Sequence, residues 1–299
     1  MANGDVVSAV VYYAKINPDG SLGSWLTANP LPDIRFCLSA SVWNNRIYVI
    51  GGNDGTYSQN TVYSATIQTN GSLSAWTTQV PMPFVNYTQA EAANGYLYFL
   101  GGFPNGGGAG VNTVYYSKIN TDGTLAGWSQ TALLPQPEGQ FGALAANGFI
   151  FSIGGWNGTA PTSSFYIAAV KGDGSLGSWS TGTSLPQPLA LFGCAASDSY
   201  IFLSGGVNTV ENSSAVYSMV LPAPPVMPTL VARSFINGNF QLQLASSTNT
   251  GFGLLASPDL INWTNLGWGF TDTNGSLLFQ DTNVTSFPNR FYRAYWPLP

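Results

Sequence analysis

Four tryptophans, Trp25, Trp76, Trp128 and Trp179, recur 51, 52 and 51 residues apart, each at the end of a similar segment. The segments read Asn17-Pro-Asp-Gly-Ser-Leu-Gly-Ser-Trp25, Thr69-Asn-Gly-Ser-Leu-Ser-Ala-Trp76, Asn120-Thr-Asp-Gly-Thr-Leu-Ala-Gly-Trp128 and Lys171-Gly-Asp-Gly-Ser-Leu-Gly-Ser-Trp179. A tyrosine stands 13 residues before each tryptophan, at Tyr12, Tyr63, Tyr115 and Tyr166. Glycine pairs recur at Gly51-Gly52, Gly101-Gly102, Gly154-Gly155 and Gly205-Gly206, each after a short apolar run such as Ile47-Tyr-Val-Ile50. A period of about 50 residues restricts the chain to repeated supersecondary units that bury their apolar faces against one another.

Inside one unit the runs are short, β-branched and aromatic, and bounded by Gly, Pro, Asn and Asp, so they read as strands. The order is an Ala-rich inner strand, a tight turn (Asn94-Gly95, Asn147-Gly148) and a second strand running into Gly-Gly. A variable loop, a third strand around Val-Tyr, an Asp-Gly turn and a short fourth strand carrying Trp complete it. Four antiparallel strands per repeat describe a propeller blade. In register over residues 7–221, these marks resemble kelch repeats, in the Asp-Gly-Ser-Leu-x-x-Trp variant of bacterial extracellular proteins. The resemblance implies an all-β, kelch-like β-propeller of four blades. Kelch blades often carry an Arg after the Pro-rich loop between blades. The aligned positions here read Arg35, Asn86, Gln140 and Leu191, so that polar contact is expected to be mostly absent.

The strand count does not close evenly. Four Gly-Gly strands and four Trp strands face five Val-Tyr strands, the fifth at Val216-Tyr217. In the ordinary reading the N-terminal hairpin completes the last blade, leaving one strand over. In a sharper reading, 215–221 fills its own blade and the hairpin completes a neighbouring molecule, since open sheet edges invite such pairing. Head-to-tail donation of that kind gives a filament unless it closes. A third reading makes the chain a piece of a larger propeller.

Charge narrows the function. Charged residues are 7% of the 299, with 8 Lys and Arg against 13 Asp and Glu, and histidine is absent. Eight cations cannot supply a nucleic-acid footprint. Without histidine there is no Ser-His-Asp site, no His-ligated zinc or copper and no kelch-type copper oxidase. Hydrophobic residues at 44% and aromatics at 14% argue against disorder. No apolar run reaches the length of a membrane-spanning helix. A surface built from Asn, Ser, Thr and Gly suggests an extracellular or cell-surface home and contact with copies of itself. The start, Met1-Ala2-Asn3-Gly4-Asp5, is not a secretory signal.

Beyond a propeller at 1–221, Pro222-Ala-Pro-Pro-Val-Met-Pro228 reads as a stiff linker. Residues 229–299 alternate without the repeat and suggest a small β-sandwich. Within them, Leu255 to Trp263, Phe279-Gln-Asp281 and Arg290-Phe-Tyr-Arg293 resemble a module ending large secreted bacterial proteins.

Few residues propose chemistry, and no catalytic residue, metal site or cofactor is assigned. Asp19, Asp122 and Asp173 are candidate calcium ligands, but Asn70 in the same place of the second copy points to turn capping. A sialidase reading fails for want of an arginine cluster. Glu91, in an Ala-rich strand, would need a partner from Asp33, Asp54, Glu138 or Glu211 to make a carboxylate-only glycan hydrolase. The Gly-Gly loops and the Pro-rich loops share one face, with Asn53, Asp54, Tyr57, Phe103, Trp156, Asn157 and Asn208 on it. Aromatics beside amides suit sugar rings, so this face is the candidate glycan site. The repeated Trp and Tyr, Tyr217 included, are expected as core between blades. Cys37 and Cys194 fall on inner strands of the first and last blades, as buried thiols or as a ring-closing disulfide.

Overall fold

The computed structural model describes residues 7–84, 86–104, 110–197, 199–221, 228–246 and 251–295. Most of the proline linker lies outside them. The described residues are almost wholly β, with no α-helix. β1 (Tyr12–Tyr13) and β2 (Leu26–Thr27) pair as a two-stranded sheet. Three four-stranded antiparallel sheets follow. The first is β3 (Ser39–Trp43), β4 (Arg46–Ile50), β5 (Val62–Thr66) and β6 (Thr77–Thr78). The second is β7 (Asn86–Ala93), β8 (Tyr96–Pro104), β9 (Val114–Lys118) and β10 (Ser129–Gln130). The third is β11 (Gly142–Ala146), β12 (Phe149–Ile153), β13 (Phe165–Ala169) and β14 (Ser180–Thr181). The last repeat sheet has three strands, β15 (Gly193–Ala196), β16 (Tyr200–Ser204) and β17 (Val216–Val220). The inner strands stand in a row, β3 beside β7, β7 beside β11 and β11 beside β15.

Each core is shared by two consecutive sheets. Tyr48, Ile50 and Val62 of the first sheet pack with Ala90, Leu97 and Phe99 of the second. Phe151, Ile153 and Phe165 of the third pack with Ile201 and Leu203 of the last. The glycine pairs explain themselves here. Gly101 has φ +48° and Gly154 φ +53°, and a Cβ at either would lie 2.6 or 2.5 Å from the carbonyl oxygen of Glu138 or Leu189 in the approach to the next sheet. Only glycine combines that backbone with that approach.

The ordinary reading of the N-terminal hairpin is corrected. β17 takes the third place in its own sheet, with Tyr217 opposite Leu203, so the hairpin does not complete the last blade. A strand that follows its partner after a short loop closes with less entropy loss than one from the far end of the chain. The hairpin instead lies against the first sheet, through the Ser8–Arg35 bridge and the packing of Ala9 and Val11 beside Val49 and Tyr63. Cys37 is also corrected. It is exposed, at φ +50° just before β3 rather than on the inner strand, and both cysteines are free.

The tail forms two three-stranded sheets. One is β18 (Thr229–Ile236), β19 (Asn239–Ala245) and, later in the chain, β22 (Ser276–Asp281); the other is β20 (Gly251–Ser257) flanked by β21 (Thr264–Phe270) and β23 (Phe291–Tyr295). Leu242, Leu244 and Phe279 from one sheet meet Phe252 and Leu254 from the other.

Candidate functional site

On the loop face, the acceptor groups are spent on the loops themselves. The Asp54 carboxylate accepts the amides of Thr56 and Tyr57, which hold it below the usual carboxylate range. Asn157 accepts from Thr159 and Ala160, and Asn208 from Val210 and Glu211, in the same geometry. Asn53 is buried and accepts the Gly55 amide. Phe103 is buried in β8, its ring over Gly139, so it does not present itself to a ligand. Trp156 is half-buried, bridging Gly139 and Pro161. Of the seven, Tyr57 alone offers an open ring, 71% exposed.

The Asp-Gly turns are capped as their composition implies. Asp19 accepts the Ser21 hydroxyl and amide, Asp122 those of Thr124 and Asp173 those of Ser175, and Asn70 does the same for Ser72. The Ser21 hydroxyl, then its amide, lowers the Asp19 carboxyl. A cleft of about 300 Å³, lined by Trp43, Arg46, Tyr48 and Asp122, opens beside the Asp122 turn. Arg46 donates to the Asp122 carbonyl there. Sequence reading missed this cleft, which joins residues 76 positions apart.

The Pro-rich loops hold a second surprise. Phe36 bridges Asn53 as Gly139 bridges Trp156 and Ala190 bridges Val207. Arg35, Glu138 and Leu189 therefore occupy one repeat position, and the sequence alignment of Gln140 and Leu191 with Arg35 is corrected. Arg35 is buried and donates to Thr61 at 2.8 Å and to Asp33 at 3.4 Å. Glu138 is fully buried and accepts from Ser164, Gln136 and Ser152. The polar contact is kept in the third sheet with its charge inverted. Burial raises the Glu138 carboxyl against the pull of those donors.

Glu91 lies half-buried on β7, and burial alone pushes its carboxyl up to about 8. Its charge adds to burial in pushing the Cys194 thiol up to about 11. Among the described residues, no second carboxylate contributes to either shift. Among the described residues no group of three His, Cys, Asp or Glu side chains gathers as a metal site.

The repeated tryptophans act as stitches between sheets. The indole N–H of Trp76 donates to the Asn29 carbonyl at 3.0 Å, that of Trp128 to Val80 at 3.2 Å, and that of Trp179 to Ala132 at 3.0 Å. In each case the acceptor stands in the loop that follows the preceding tryptophan. Tyr48 and Tyr98 add hydroxyl bonds to the Gly123 and Gly174 carbonyls of the next turn.

A kelch-motif family model matches residues 34–64, which run from the loop before β3 to the middle of β5. That copy of the repeat matches a kelch motif. Kelch-like protein 40 of Xenopus tropicalis is 23% identical over 223 residues, 71% of this chain and 35% of that protein. The chain thus spans about a third of the length of the curated relative it matches. A solved structure described as "Structure of YjhT" has a TM-score of 0.58 at 12% identity, over 80% of this chain and 85% of that one. At that identity the likeness shows the fold alone, and the repeated antiparallel sheets are consistent with a kelch-like β-propeller.

Two of the kelch marks behave differently at the N-terminal end. Trp25 is 65% exposed and Tyr12 63% exposed, while Trp76, Trp128 and Trp179 are half-buried. The expectation that all repeated Trp and Tyr serve as core is corrected there, because β1 and β2 pair only with each other. In the tail, the motifs read from sequence do meet. Asp281 is buried, bonded to Arg290 at 2.8 Å and to the Tyr292 hydroxyl at 3.1 Å, and Arg293 lies over the Trp263 ring at 4.2 Å.

Proposed function

We propose that this kelch propeller is a non-catalytic, extracellular interaction protein that associates with copies of itself. A kelch propeller fold suits a protein-interaction role, and one observation carries the choice of partner. Large apolar side chains are exposed at both ends of the row of blades: Val10, Tyr12, Leu22 and Trp25 on the hairpin, and Phe202, Val216 and Val220 on the last blade. Apolar surface of this kind on a chain with 7% charged residues marks a contact surface. The same low charge supports the extracellular setting.

Light scattering over a dilution series tests the reading. Mass is expected to rise with concentration above that of one chain, 31.6 kDa. A constant monomer mass would overturn it. The exposed Tyr57 ring favours a second reading, a glycan-binding loop face. A glycan array on which Tyr57→Ala binds as well as the parent would remove it.

A further inference from the structure

Two blades seat a tryptophan in the same apolar socket, and a third repeats its indole bond. Trp76 packs against Leu31, Val49 and Tyr63. Trp128 lies 5.0 Å from the Phe99 ring, in the same cluster as Met82 and Tyr115. By repeat position, Leu31 and Met82 correspond to Leu185, Val49 and Phe99 to Leu203, and Tyr63 and Tyr115 to Tyr217. Those three residues line an open apolar groove of about 170 Å³ on the last blade, together with Thr183. Thr183 stands where Asn29, Val80 and Ala132 supply the carbonyl for an indole N–H. The last blade therefore carries a complete tryptophan socket, and its sheet has no fourth strand among the described residues.

The hairpin carries the matching part. β2 is a fourth strand by repeat, and its Trp25 is exposed. Its ladder to β1 is two residue pairs, Tyr12 with Thr27 and Tyr13 with Leu26. The same register recurs as Tyr63 with Thr78, Tyr115 with Gln130 and Tyr166 with Thr181.

We infer that the socket of the last blade receives β2 of a second copy, with Thr27 opposite Tyr217, Trp25 in the groove and its indole N–H on the Thr183 carbonyl. This rests on the self-association proposed above and names its site. β2 exchanges one third strand, β1, for its repeat equivalent, β17, so the ladder lost is replaced. Seating Trp25 is the net gain. Within one chain the hairpin is held against the first blade and β2 pairs with β1, not with β17, which leaves the groove to another molecule. The contact is head-to-tail and builds a closed pair or a longer chain.

Two variants at exposed positions test it by complementation. Trp25→Ala removes the knob and keeps the socket. Ser184→Arg lays a long cation across the groove mouth and keeps the knob. Each alone is expected to be monomeric, with association weakened about 30-fold or more, as for a buried aromatic anchor. Mixed one to one, they are expected to form dimers and nothing larger. If Trp25→Ala associates like the parent, the site is wrong while self-association stands. A parent chain that is monomeric throughout overturns both, and so does a monomer whose Trp25 fluorescence is buried, since the hairpin would then close its own ring. A mixture that stays monomeric also overturns the site.

Discussion

At the residue scale, two buried groups set measurable chemistry. Glu91 binds its proton more tightly folded than unfolded, because burial disfavours the carboxylate. The folded state then holds more protons between the ordinary glutamate range and about 8, so stability falls as pH rises across that window. Glu91→Gln is expected to flatten this fall and to raise the melting temperature at pH 9, measured by thermal denaturation at a series of pH values. The thiols separate as well. Cys37 is exposed, whereas Cys194 is half-buried with its thiol pushed up to about 11. Alkylation under native conditions should modify Cys37 and spare Cys194 until the protein unfolds, as read by mass spectrometry of peptides. The Cys37 position was hidden from sequence reading because the left-handed bend before β3 recurs at Gln140 and Leu191 with no shared side chain.

At the scale of elements, a blade is held by backbone constraints inside and by single stitches between neighbours. Gly154→Ala would place a Cβ at φ +53° and 2.5 Å from the Leu189 oxygen. A loss of about 2 kcal/mol or more is expected in denaturant unfolding, from a strained backbone that must also move. Trp128→Phe keeps the ring on Phe99 and removes the indole bond to Val80. Its cost is expected near 1 kcal/mol, the net worth of a typical hydrogen bond. These features were legible in sequence because each is a local demand repeated in register. A positive φ needs Gly, a turn needs Asp or Asn, and a stitch needs Trp. What Trp25 does was not legible. Its surrounding text matches the other three copies, and its exposure depends on which strands face it from elsewhere in the chain.

At the scale of the whole molecule, sequence established the all-β architecture and the number of repeat strands, but not how they share out. That allocation turned on whether Val216-Tyr217 or the hairpin won the third place beside β16, a competition between two texts of the same repeat. The loop face was read as a cluster of Asn, Asp and aromatic residues open to a ligand. Its acceptors turned inward because loops of four or five residues need them for their own amides. The position shared by Arg35, Glu138 and Leu189 stands ten residues after a tryptophan in each copy, but its side chains share no chemistry that would mark it. That position has a consequence for how the protein is put together. The first and third blades each carry their own partners for the shared site: Thr61 and Asp33 around the cation, and Ser164, Ser152 and Gln136 around the anion. Exchanging residues 138 and 35 between blades would bury a carboxylate beside Asp33 and a guanidinium without one. These two repeats are alike enough to stack but not to trade places, and the difference between them is written at this one address.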